Sequence, residues 1–64
     1  MTDINLEQLA KTVGKAIARQ RQQAGLTQEQ VAEYLDIGME AVSRMERGIV
    51  VPTVLRLAEL AQLF

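Results

Sequence analysis

Arg44 is the side chain best suited to specific recognition, because a guanidinium can donate two hydrogen bonds to guanine O6 and N7. The stretch around it, Gly38 to Arg47, reads GMEAVSRMER and adds Met39, Glu40, Ser43 and Arg47. Glu40 can accept from cytosine N4, yet it also repels nearby phosphates, or it simply stabilises a helix N-terminus. Met39 can touch a thymine methyl or can be a packing residue. Gln28 stands where a helix should open, and free backbone N–H groups there favour a phosphate. The plainer reading of Gln28 is a solvent-exposed polar residue. Catalytic chemistry finds no comparable set. The sequence has no histidine and no cysteine, so the commonest general base, thiolate nucleophile and zinc ligands are missing. Glu29 and Glu33 sit i, i+4 and read as a solvated face. The expectation is a non-enzyme with no metal and no cofactor.

The elements that must position these residues lie between Thr27 and Gly48. Thr27 and Gln30 form a T-x-x-Q capping box, with Leu26 and Val31 at the hydrophobic-staple positions. A helix is therefore expected to start at Gln28, burying Val31, Ala32 and Leu35. Asp36 tolerates the left-handed conformation and suits a sharp stop. Gly38 can open a second helix, Met39 to Arg47, with Ala41, Val42 and Met45 inward. Met39, Glu40, Ser43, Arg44 and Arg47 then avoid the inner face. Gly48 can close that helix in a left-handed cap. Helix, three-residue turn, helix is the spacing of a DNA-reading helix-turn-helix over 28–47. The same spacing also fits a helical hairpin with no nucleic-acid role.

The rest of the chain supplies a scaffold. Asn5 can cap a first helix, with Gln8 three residues on and Ile4 and Leu9 at staple positions. Leu6, Leu9, Ala10, Val13, Ile17 and Ala24 follow a helical period, giving one helix from Leu6 to Ala24. Gly14 costs about 1 kcal/mol relative to Ala, so a break there is the alternative. Lys11, Lys15 and Arg19 share a face, read as solvated or as a flanking phosphate contact. Pro52 blocks helix continuation after the loop GIVVP, and Thr53 can cap the last helix, Val54 to the end. Its inner face is expected to be Val54, Leu57, Ala58, Ala61 and Phe64.

Taken together, GLTQEQVAEYL, VSRMERG and PTVLRLAELA resemble the Cro/repressor-type (XRE-like) helix-turn-helix family of prokaryotes and phages. Typical members read G-L-[ST]-Q-E-x-[LV]-A, then [IV]-S-x-[IWM]-E-x-G, then P-[ST]. The likeness runs from about Val13 to Phe64. It implies an all-α fold, a small lambda-repressor-like bundle of four helices with a central helix-turn-helix, and Met1 to Thr12 as an extension. It implies a second helix lying in the major groove, where the positions of Met39, Glu40 and Arg44 reach base edges and that of Ser43 meets backbone. Gly38 and Arg47 flank this set. The resemblance gives Gln28 a phosphate contact and a bridge to the recognition helix. It pairs Arg21 with Glu46 as structure. It also implies a fifth helix beyond Phe64, where this sequence stops, and a basic loop where this sequence has Ile49-Val50-Val51.

Sixty-four residues make a single domain, 1–64, and 48% hydrophobic composition is enough for a core. The net charge of −1 argues against a generic basic nucleic-acid binder, but Gln8 to Gln28 carries four cations and no acid. No apolar run is long enough to span a bilayer, and no signal peptide is visible, so a cytoplasmic, nucleoid-associated protein is expected. Ile49, Val50 and Val51, extended by Leu55 and Leu63 off the inner face of the last helix, are expected to form a self-association surface. The reading is a sequence-specific regulator, a repressor that binds double-stranded DNA as a homodimer on a two-fold operator. Two rivals stand beside it: an antitoxin whose main protein partner is a toxin, and a protein-interaction module with little DNA affinity.

Overall fold

In the computed structural model, which describes residues 5–64, Asn5 caps the first helix by accepting from the Gln8 backbone N–H at 3.0 Å. The staple drawn with Ile4 lies outside the described residues. Helix α1 (Leu6–Gln23) runs unbroken through Gly14, so the alternative of two shorter helices is set aside. Helix α2 (Gln28–Leu35) starts at the Thr27 capping box, with both reciprocal hydrogen bonds formed at 2.9 and 3.0 Å. It stops at Asp36, which adopts the left-handed conformation at φ 57°. Ile37 N–H then reaches back to the Ala32 carbonyl at 3.0 Å, closing a Schellman motif. Helix α3 (Met39–Arg47) opens at Gly38, which brings no side-chain cap. It ends at Gly48, φ 76°, where Ile49 N–H bonds to the Arg44 carbonyl in the same way. Helix α4 (Val54–Leu63) is capped by Thr53.

Helix α3 is the hub, because α1 and α2 both pack on it. The core joins Ile17, Val31, Ala32, Leu35, Val42, Met45 and Leu60, with Val13, Leu26, Ile37, Leu63 and Phe64 packed against it. The expected inner faces of α2 and α3 are the observed ones, with Ala41 only half-buried.

Two expected faces are corrected. On α1 the buried line is Ala10, Gly14 and Ile17, continued by the largely covered Arg21. Leu6 and Leu9 face solvent at 67% and 42% exposure, and Ala24 is also exposed. The physical reason is the closeness of α1 to α3. A Cβ placed on Gly14 would lie 2.5 Å from the Glu46 carbonyl oxygen and closer still to that of Met45. The contact stripe therefore narrows to glycine at the point of closest approach, with Ala10 and Ile17 on either side. On α4 the buried residue is Leu60, flanked by half-buried Arg56, Glu59 and Leu63. Val54 is 84% exposed instead of inward, and Ala58 and Ala61 are exposed too. Leu57, Ala61 and Phe64 line an open apolar groove with Val13 and Ala16 of α1. Leu63, expected off the inner face as part of an interface, packs against the core. Helix α4 is apolar nearly all round, so either face satisfies a helical period.

Candidate nucleic-acid interface

The site is built on an exposed face of α3, and a largely covered polar cluster holds that helix in place. Arg21 Nε donates to Glu46 Oε2 at 2.7 Å, and Nη2 donates to Oε1 at 3.2 Å. Arg21 Nη1 donates to the Leu26 carbonyl at 2.9 Å, and Gln28 Nε2 donates to Glu46 Oε1 at 2.9 Å. The side chains of Arg21 and Glu46 are only 14% and 7% exposed. The Glu46 carboxylate near the end of α3 thus joins α1 to the first residue of α2, and Arg21 in turn holds the turn before α2. Fork-to-carboxylate geometry of this kind is directional, so it fixes the rotation of α3 as well as its position. Every buried side-chain nitrogen and oxygen among the described residues has a partner.

With Val42 and Met45 buried and Glu46 turned into the cluster, the outward residues of α3 are Met39, Glu40, Arg44 and Arg47. Met39 is 54% exposed, so the packing alternative for it does not hold within this chain. Ser43 is half-buried beside them. Gly38 lies open at the start of the helix, with no atom near its missing Cβ. Gln28, the first residue of α2 after the Thr27 cap, is half-buried and tethered to Glu46.

Sequence reasoning missed how the charged residues of α3 engage one another. Arg47 folds back along the helix, where Nε donates to Ser43 Oγ at 3.1 Å and Nη2 donates to Glu40 Oε1 at 3.0 Å. Arg44 Nε lies 3.6 Å from the same Glu40 oxygen. The i, i+4, i+7 spacing of Glu40, Arg44 and Arg47 was the available signal.

Of the α1 cations, Arg21 enters the cluster and Lys11 packs at the C-terminal end of α3, its Cα 2.7 Å from where a Cβ on Gly48 would stand. Lys11 pairs with Glu7 at 3.9 Å. Lys15 and Arg19 share a shallow groove with Thr12 and Ala16. On a helical wheel that groove is opposite the Ala10–Gly14–Ile17–Arg21 line that meets α3. The loop residues Ile49, Val50 and Val51 are 60%, 42% and 53% exposed, and Leu55 is 72% exposed. All four follow the C-terminal end of α3 in sequence, three in the loop and Leu55 in the first turn of α4.

Comparison with known proteins bears on this geometry. The family model described as helix-turn-helix matches residues 17–64, the C-terminal part of α1 from Ile17 onward and all of α2 to α4. The chain is also 44% identical, over 54 residues, to an uncharacterized HTH-type transcriptional regulator, y4dJ, of Sinorhizobium fredii. That match covers 84% of this chain and 70% of the relative. No helix among the described residues is long and apolar enough to cross a membrane.

Proposed function

The chain belongs to the helix-turn-helix family, and from that membership we propose that it is a DNA-binding transcription regulator that reads its site through α3. The observation that carries this reading is the outward set Met39, Glu40, Arg44 and Arg47 on a helix whose rotation is locked from behind. In the helix-turn-helix docking mode such a helix lies in the major groove, leading with its N-terminal residues. Arg44 then reaches a guanine edge, Met39 and Glu40 meet neighbouring bases, and Ser43 and Gly38 pass close to the backbone. Gln28 and the N-terminus of α2 receive a phosphate. The test is selection from random duplexes, repeated at several salt concentrations. A consensus with a steep salt slope supports the regulator. No binding at low salt would favour an interaction module, a reading to which the apolar loop lends some weight.

A two-fold dimer completes the proposal. Ile49, Val50, Val51 and Leu55 are exposed apolar side chains close together in sequence, of the kind that marks an interface. A dimer through them would set two recognition helices on two half-sites. Val50→Glu with Leu55→Glu is expected to yield a folded monomer by sedimentation equilibrium. Its operator affinity should fall by ~10²-fold or more, since linking two sites contributes that much. A wild type already monomeric at high concentration, or a double variant still dimeric, contradicts the dimer.

A further inference from the structure

We propose that Glu40 is a specificity-determining residue: it holds Arg44 and Arg47 in the free protein and releases them only to a groove that offers its carboxylate a donor. This inference rests on the DNA-binding reading above. Both guanidinium groups on the outward face of α3 converge on one oxygen, Glu40 Oε1, at 3.0 Å from Arg47 and 3.6 Å from Arg44. Glu40 is the one acid on that face, because Glu46 is taken up in the polar cluster. The three side chains are 54–67% exposed, so the pairs are water-screened and readily exchanged. They are organised but not locked.

Exchange has an asymmetric consequence. A phosphate can attract either arginine, but doing so leaves the Glu40 carboxylate uncompensated beside a polyanion. Random sequence therefore gains little from these two cations. At a matching site Arg44 moves to guanine O6 and N7, while Glu40 accepts from a cytosine or adenine amino group. The lost ion pairs are then replaced on both sides. Glu40 thus weakens binding to unmatched DNA more than binding to matched DNA. That is discrimination by a built-in repulsion as well as by attraction. It also gives a physical role to an acid on the recognition face of a protein whose net charge is already −1.

The test compares wild type, Glu40→Gln and Glu33→Gln, titrated with a selected duplex and with its scrambled counterpart over a salt series. Glu33 is an exposed acid on α2 and controls for the change in net charge. For Glu40→Gln, affinity for scrambled duplex should rise about tenfold, with a salt slope steeper by ~1 as Arg47 becomes free for phosphate. Affinity for the selected duplex should rise by no more than about twofold, which narrows the specificity ratio. If scrambled-duplex binding is unchanged or weaker, or if Glu33→Gln gains as much, the role of Glu40 is refuted while DNA binding stands. If no protein binds any duplex at low salt, the DNA-binding reading itself fails, and the inference with it.

Discussion

Arg21→Ala should be strongly destabilising, costing a large share of the stability of the protein. The guanidinium makes three hydrogen bonds, two to Glu46 and one to the Leu26 carbonyl, and its side chain is largely covered. Truncating it leaves the Glu46 carboxylate with only the Gln28 amide as partner, in a site that excludes most water. Removing one member of a buried pair costs roughly 3–5 kcal/mol, because the other charge is stranded. A domain of this length has total stability of roughly 3–10 kcal/mol, at ~0.05–0.15 kcal/mol per residue. The loss is thus between about a third and the whole of that stability, and the urea midpoint should fall far below that of wild type. Glu46→Ala should behave similarly. The double variant should lose clearly less than the sum of the two, since neither charge is then left alone. Strict additivity across the cycle would mean that the two side chains do not meet in solution.

Gly14→Ala should come next in size, and its sign is informative. Helix propensity alone favours alanine by about 1 kcal/mol in a helix interior. Packing argues the other way. The new Cβ would press on the Met45 and Glu46 carbonyls, which are backbone and cannot swing aside. Overpacking usually costs ~1–3 kcal/mol, and a clash with helix backbone belongs at or above the upper end of that range. A net loss of about 2–3 kcal/mol is expected from thermal or urea unfolding. A Gly14→Ala protein more stable than wild type would show that α1 and α3 do not approach so closely. Because Glu46 belongs to the polar cluster, any folded fraction should also hold α3 less well.

These two positions show where the sequence was legible and where it was not. The bounds of α2 and α3 follow from signals a few residues long: the Thr27–Gln30 box, Asp36 in its left-handed turn, and Gly48. Such signals act within one helical turn and need no knowledge of the fold. Gly14 carries the opposite lesson. Locally it weakens a helix, and only the neighbouring helix explains why nothing larger can stand there. Helix α4 misled for a related reason. With Val54, Leu55, Leu57, Leu60 and Leu63 spread around it, periodicity cannot choose a face, and only packing puts Leu60 inward. The Arg21–Glu46 pair spans 25 residues and was legible through family resemblance alone. The Glu40–Arg44–Arg47 cluster was visible in spacing, yet two arginines sharing one oxygen is a matter of rotamers.

Readout through α3 is tested most directly by titrating a selected duplex and its scrambled counterpart with wild type and with Arg44→Ala. Arg44 is exposed and forms only a long ion pair within the chain, so its loss leaves the fold intact. The expected result is a loss of ~1–3 kcal/mol on the selected duplex, a much smaller loss on the scrambled one, and relaxed preference at one position on reselection. Equal weakening on both duplexes, with the consensus unchanged, would contradict base recognition by this helix.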